Sequence, residues 1–417
     1  MTRSPRLIGL AALALSCSPA ASQVLPAAIE GPMEDRARAV LERDAVRLVE
    51  FRRDLHRHPE TSGNEVRTAQ AVSAELRRLG LADIRTGVGG HGVVALVRGR
   101  RAGPTVAYRA DMDAVPSSAP DPVEFRSLTD GVRHICGHDI HTTIGIALAG
   151  IMQSLRDSLA GNVMFVFQPA EERATGANAM LAAGVFGNEQ PVAIYGLHTA
   201  PYEVGALGTV PGPMMGGRDP FTVTLTGTGD HSAATNTTLQ ALQQLATVTP
   251  DQAFANQPFD FIAVALSPAQ VTPGRTTIAG TVSVASAAAR ARAQSLVTTG
   301  LATLLPAGIA VQGSYQAKSI AGVTNDSALT ARATAAIRAH LGPDAVRAVT
   351  GIVPAFSEDF GSFQERIPGT FYFLGVSNSA RGWVGMPHSP GYVADEGAIA
   401  VGARAMAAVL LDRLASP

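Results

Sequence analysis

Cysteine is nearly missing from this chain: 417 residues hold only two, Cys17 and Cys136. A disulfide-stapled fold is thereby excluded. Net charge is nearly missing too. Lysine plus arginine number 33 against 34 aspartates and glutamates, a formal charge of -1. Such a balance leaves no basic footprint for nucleic acid and no bias towards acidic partners or membrane surfaces. Beyond the first residues no apolar run is long enough to span a bilayer. There is also no G-x-S-x-G elbow, so a serine hydrolase has no obvious nucleophile. What is present, 46% hydrophobic and 16% charged residues, is the make-up of a folded globular protein long enough for more than one domain.

The one short apolar run stands at the start. Arg3 and Arg6 precede "LIGLAALALS", and small residues follow in "SPAAS". This is the layout of an export signal over residues 1–22, cut near Ala20 to Ser22, and it predicts a secreted or periplasmic mature chain. The alternative is a lipoprotein anchored through Cys17. Removal of the signal would leave Cys136 alone. A lone thiol in an oxidising compartment is a liability that a metal bond would remove.

Helix and strand patterns then alternate. Residues 34–56 and 65–79 read as amphipathic helices. "GVVALVRG", "PTVAYRA", "NVMFVFQPA" and "VAIYGLH" read as strands, with helices at "TTIGIALAGIMQSL" and "GANAMLAAGVF". That order predicts an α/β catalytic domain with a mostly parallel sheet. "PGPMMGG" (211–217) reads as a hinge. Beyond it come strands at "FTVTLTGTG", "FIAVAL", "TTIAGTVSV" and "IAVQGSY" with helices near 232–248 and 287–304. These predict an inserted α+β domain at 214–321, interrupting a catalytic domain of 23–213 and 322–417.

"GVGGHG" (87–92) matches a dinucleotide fingerprint, but the next element is a strand rather than a helix, so it reads as a turn between strands. Metal-ligand residues cluster elsewhere. Asp111 and Asp113 follow one strand, Glu171 and Glu172 another, and His198 closes a third; Cys136 and His138 stand where a helix begins. Open α/β sheets bind ligands at the carboxyl ends of their strands. One acidic pair alone is usually a turn or a helix start. Four polar clusters on one rim point to zinc or a similar divalent ion, with one glutamate as ligand and the other free as a base.

"RADMDAVP", "CGHDIHT", "FQPAEE", "GLHTAP" and "MPHSP", in this order, closely resemble the metal-dependent amidohydrolases of peptidase family M20, in the branch of hippurate and indole-acetyl-amino-acid hydrolases. The resemblance extends to "SEDFGSF" and "GTFYFLGV". It implies hydrolysis of N-acyl amino acids or small peptides. It also implies two divalent ions per subunit (zinc, manganese or cobalt) and a homodimer formed through the inserted lid. Cys136, His138, Glu172, His198 and His388 match the ligand positions. Glu171 matches the general acid/base and Asp113 a supporting position beside the metals. His231 matches a lid histidine that serves the neighbouring subunit. His134 and His141 match no ligand, and His56, His58 and His91 read as surface or packing residues.

Departures fall in the lid. The family's second lid histidine is absent from "TGDHSAATN". Ser283 stands at the position of a substrate-holding arginine, and an asparagine is missing from the same region. These predict a weak demand for a free α-carboxylate, with Arg275 as the nearest substitute in the sequence. An exported metal-binding protein without turnover is the rival reading; an intact Glu171 speaks against it.

Overall fold

The computed structural model describes residues 32–415. The expected export signal, with Cys17, lies outside the described residues.

Eight strands form the main sheet, in the order Asp83–Val88, Gly92–Arg98, Ala160–Gln168, Arg101–Asp111, Ile194–Glu203, Gly369–Ser377, Leu207–Thr209, Val346–Ala348. The four central strands run parallel. Antiparallel pairs lie towards both edges. The α/β expectation with a mostly parallel sheet therefore holds. Ala160–Gln168 shows why its sequence is a continuous apolar run. Val163, Phe165 and Phe167 pack into one core cluster, while Met164 and Val166 pack into another. A strand covered on both faces has no polar side to alternate with. The helix His138–Leu155 is buried nearly all round, held between the sheet and the helices Pro32–Arg57 and Gly397–Ala415. Such a helix carries no polar stripe because no face meets water.

"GVGGHG" is the hairpin turn between Asp83–Val88 and Gly92–Arg98. Gly89 has φ +66°, and a Cβ there would fall 2.4 Å from the Met180 nitrogen. Backbone conformation and close packing require that glycine, not a phosphate.

Between Leu207–Thr209 and Val346–Ala348 the chain builds a second, antiparallel sheet. Its order is Ile262–Leu266, Arg275–Val284, Gly217–Gly227, Ile309–Tyr315, with Gln270–Thr272 also on Arg275–Val284. Phe221, Val223, Leu225, Ile278 and Val282 pack against Ala234, Leu242, Ala289 and Val297 of the helices His231–Leu245 and Ala287–Thr298. Thr222, Thr224, Thr277, Thr281 and Ser283 occupy the other face, half-buried. One covered face gives strict alternation.

The segment read as a hinge is itself paired. Gly212–Met215 forms a two-stranded ribbon with Val323–Asn325, and Arg218 and Ile320 exchange backbone hydrogen bonds of 3.0 and 2.9 Å. Outgoing and returning chains thus satisfy each other's backbone groups. At the foot of the second sheet Asp219 is fully buried. It accepts from Arg290 Nε (2.7 Å), the Tyr315 hydroxyl (2.8 Å) and the Lys318 N–H (2.7 Å). The strand holding His198 also differs from its expected end: it runs on to Glu203.

Candidate metal centre

Parallel register gathers the site. Arg109 lies opposite Gly196, so Asp111, at the end of Arg101–Asp111, stands level with His198. Glu171 and Glu172 follow the neighbouring strand, and their backbone N–H groups donate to the two Asp113 carboxylate oxygens at 3.1 and 3.0 Å. Ser62 adds a third donor at 2.6 Å. Asp113 therefore clamps the glutamate turn, as a support beside the centre should.

Cys136 and His138 flank Gly137, which has φ +85°. A Cβ there would meet the Tyr392 hydroxyl at 2.3 Å and Thr199 Oγ1 at 2.6 Å, so only glycine lets the chain turn between these two donors. His388 is held in the left-handed region, at φ 60°, and its N–H donates to the Ile135 carbonyl (2.8 Å). Strained backbone of this kind persists where surrounding contacts over-determine it.

The donors converge. Cys136 Sγ is 3.2 Å from His198 Nε2; His138 Nε2 is 3.6 Å from Glu172 Oε1; Glu172 Oε2 is 3.4 Å from His388 Nε2. Cys136, His138 and His198 form one group of potential ligands, and Cys136, Glu172 and His388 a second. His198 Nδ1 lies 2.7 Å from the Thr199 carbonyl, which can only accept. The proton is therefore on Nδ1, and the Nε2 lone pair faces Cys136. His138 Nε2 and Glu172 Oε1 are buried without a hydrogen-bond partner, while His138 Nδ1 faces Asp113 Oδ1 at 3.3 Å. Orphaned polar atoms that converge on one point are what a bound cation would satisfy. The five residues fit a divalent centre on that ground.

His141 is excluded for a geometric reason. Its Nε2 accepts from the Thr199 N–H (2.8 Å) and its Nδ1 donates to Asp111 (2.6 Å), so neither nitrogen is left for a metal. His134 has both nitrogens buried and unpaired, and burial pushes it down to about 3. Of the two sequence readings for His56, surface or packing, the structure supports packing. The ring is buried, not superficial, and lies between Asp139 (2.8 Å) and Asp121 (3.0 Å). Arg52, buried as well, completes this pair behind the helix that starts at His138, 2.7 Å from Asp139.

Sequence reasoning missed the acidic floor. Arg109 is buried and binds Asp111 (2.8 Å), Glu358 (2.8 Å), Asp359 (3.2 Å) and Gln168 (2.8 Å). The available signal was a charged residue two places from Asp111 inside an apolar strand, hence on the same face. Glu358 and Asp359 lie close enough to Glu171 to form a cluster of three carboxylates. Burial, then the neighbouring Glu358 and Glu172, holds the Glu171 carboxyl well above its usual range. Burial likewise raises the Cys136 thiol and takes Glu172 to about 7. For His138 burial opposes the charge, but Asp111 and Asp113 outweigh it and push the ring up to about 10.

His231 is not brought to this centre in its own chain. It caps the far end of the Gly217–Gly227 strand, with Nε2 3.0 Å from the Gly227 carbonyl and Nδ1 3.2 Å from Thr276 Oγ1. That end, Gly227, is nine positions along the strand from Arg218 at the base, roughly 30 Å. Arg275 is also at the far end, exposed and opposite Thr226, so it does not stand in for the residue missing at Ser283.

Donor chemistry and fold together place the chain among the metal-dependent hydrolases. More narrowly, it belongs to peptidase family M20/M25/M40, which it matches over residues 107–412, and it is a metallo-amidohydrolase of that family. It is 32% identical over 372 residues to the N-acetylcysteine deacetylase of Bacillus subtilis (strain 168), spanning 85% of this chain and 93% of that one. It is also 32% identical over 378 residues to the IAA-amino acid hydrolase ILR1-like 4 of Arabidopsis thaliana, spanning 85% of this chain and 83% of the other. A solved dinuclear metal-binding M20 peptidase from Bacillus subtilis superposes with a TM-score of 0.74 at 29% identity, covering 90% of this chain and 100% of that one.

The raised ligand groups make metal uptake proton-linked. Without metal, Cys136 and His138 hold protons at neutral pH and Glu172 holds a partial one. A metal must displace them, so affinity rises with pH and loading at pH 7 releases about two protons per chain. Calorimetry in buffers of different protonation enthalpy measures this; uptake without proton release would contradict it.

Proposed function

We propose that this chain hydrolyses the amide bond of N-acyl amino acids. The observation that carries the reading is the division of labour between adjacent glutamates. Both glutamates approach His138 Nε2, at 3.6 Å for Glu172 and 3.8 Å for Glu171, but Glu172 reaches on to His388 at 3.4 Å, whereas Glu171 sits against Glu358 and Asp359 with its proton affinity raised. Bound divalent ions would polarise the scissile carbonyl and acidify the attacking water. Glu171 takes that water's proton and returns it to the leaving amine; its raised pKa suits both transfers. Cys136, His138, Glu172, His198 and His388 hold the metal, and Asp113 fixes the turn that keeps the two glutamates in their roles. The deacetylase and IAA-amino acid hydrolase names of its relatives support an acylated amino acid as substrate.

The inserted unit, residues 214–321, acts in this reading as lid and dimer contact. His231 reaches the partner's site, where it stabilises the developing oxyanion. Its distance from the metal cluster of its own chain supports donation in trans. Export of the protein rests on the layout of Met1 to Ser22.

Four measurements test these points. Chelation should abolish hydrolysis of an N-acetyl, N-benzoyl and indole-acetyl amino-acid panel, and added zinc, manganese or cobalt should restore it. Glu171→Gln should cost roughly 10²–10⁴-fold in kcat with metal content kept, while Glu172→Gln should lose metal. A Glu171 variant at the wild-type rate would refute the assignment. For His231, co-expression of Glu171→Gln chains with His231→Ala chains should recover about a quarter of wild-type activity, because about half of the dimers are mixed and each holds one whole site. No recovery in verified mixed dimers would place His231 outside the partner's site. Intact mass of the protein from its native host should start near Ala21 to Gln23; a retained Met1 would rule out export by this signal.

A further inference from the structure

An N-acyl amino acid, the substrate on which this inference rests, brings a carboxylate to a rim already crowded with carboxylates. Asp111, Asp113, Glu171, Glu358 and Asp359 are buried there, and Arg109 is engaged by three of them. A further anion needs a cation not already paired.

The second unit offers five cations: Arg218, Arg275, Arg290, Arg292 and Lys318. Arg290 is paired with Asp219, Arg292 with Asp260 and Lys318 with Glu365. Arg275 is exposed at the far end of the sheet. Arg218 sits at the base with no carboxylate partner, half-buried, its Nε buried and lacking any hydrogen-bond partner. Burial lowers its pKa, and no carboxylate offsets this. One of its terminal nitrogens donates to the Ala355 carbonyl. Ala355 is three residues from Glu358, at most about 11 Å of extended chain.

Register defines its direction. Arg218 is directly opposite Ser283 in the antiparallel pair. The next residue, Asp219, turns towards Arg290 on the helix side, so Arg218 and Ser283 share the face without helices. Their Cβ atoms are about 5 Å apart in such a pair.

We infer that Arg218 is the carboxylate-holding residue of this enzyme, its guanidinium receiving the free α-carboxylate of the N-acyl amino acid beside the loop that carries Glu358. The guanidinium missing from one strand is supplied by the strand next to it. A planar fork whose N–H groups are held by no carboxylate can meet one in two bonds at once. This reverses the expectation drawn from Ser283 alone.

The test compares kcat/KM for the free acid and the α-amide of one N-acyl amino acid. The proteins are metal-loaded wild type, Arg218→Ser, and the exchange Arg218→Ser with Ser283→Arg. Wild type should prefer the free acid by roughly ten- to hundred-fold. Arg218→Ser should bring that ratio close to one. The exchange should restore much of it, because a guanidinium re-enters the same space without the Ala355 contact. A wild type indifferent to amidation overturns the assignment and leaves the amidohydrolase reading standing. So does an Arg218→Ser variant that keeps the ratio, or one that loses it without rescue by the exchange. No turnover of either form by wild type, with the whole acyl panel equally inert, sinks the substrate reading itself and this assignment with it.

Discussion

Six carboxylates, from Asp111, Asp113, Glu171, Glu172, Glu358 and Asp359, converge where the parallel strands end, and Arg109 is the permanent cation set among them. Buried charge of one sign costs several kcal/mol per ion unless something neutralises it. Here protons do part of that work, as the raised Glu171, Glu172 and Asp359 carboxyls show. The surplus is what makes the rim a site for divalent cations, and it keeps one glutamate protonatable near neutral pH. Asp113, clamped on the glutamate turn, and Gly137, between two donors, keep that surplus in a fixed geometry.

The same constraint shapes the second unit. A rim so acidic attracts metal but would repel an anionic substrate, so under the proposed reading the positive charge that meets an N-acyl amino acid comes from outside the main sheet. The paired ribbon of Gly212–Met215 and Val323–Asn325 sets the base of the second sheet beside the loop leading to Glu358, where Gly361 packs against the Gly322 carbonyl. Arg218 leaves this ribbon directly. His231, just beyond the opposite end of the same strand, lies roughly 30 Å from Arg218, too far for both side chains to meet one small molecule within a single chain.

Much of the fold could be read in advance. The run "VMFVF" is apolar throughout because both faces of its strand are covered, and the alternation in "FTVTL" follows from one covered face. Both are local consequences of side-chain period, which any stretch of chain expresses by itself. The ribbon at 211–217 was read as a hinge because glycine and proline mark a break without naming the distant segment that pairs with it. Likewise His56 has no neighbour in sequence that reveals Asp121 and Asp139 on either side of its ring.

By itself the sequence determined the donor set, because "CGH", "EE" and the two later histidines carry metal-ligand chemistry that does not depend on knowing their distances, and the resemblance of its five motifs to the M20 amidohydrolases implied the reaction class. It also determined the α/β class with a mostly parallel sheet, through the alternation of helix and strand patterns along the chain. Tertiary structure alone decided which histidines are spent on hydrogen bonds and which stay open, because Thr199 and Asp111, far along the chain, consume both nitrogens of His141. It alone decided that Arg109 balances the floor and that Arg218 faces Ser283. Charge pairing acts over a few ångströms of space, and strand register brings together residues that the linear chain holds dozens of positions apart.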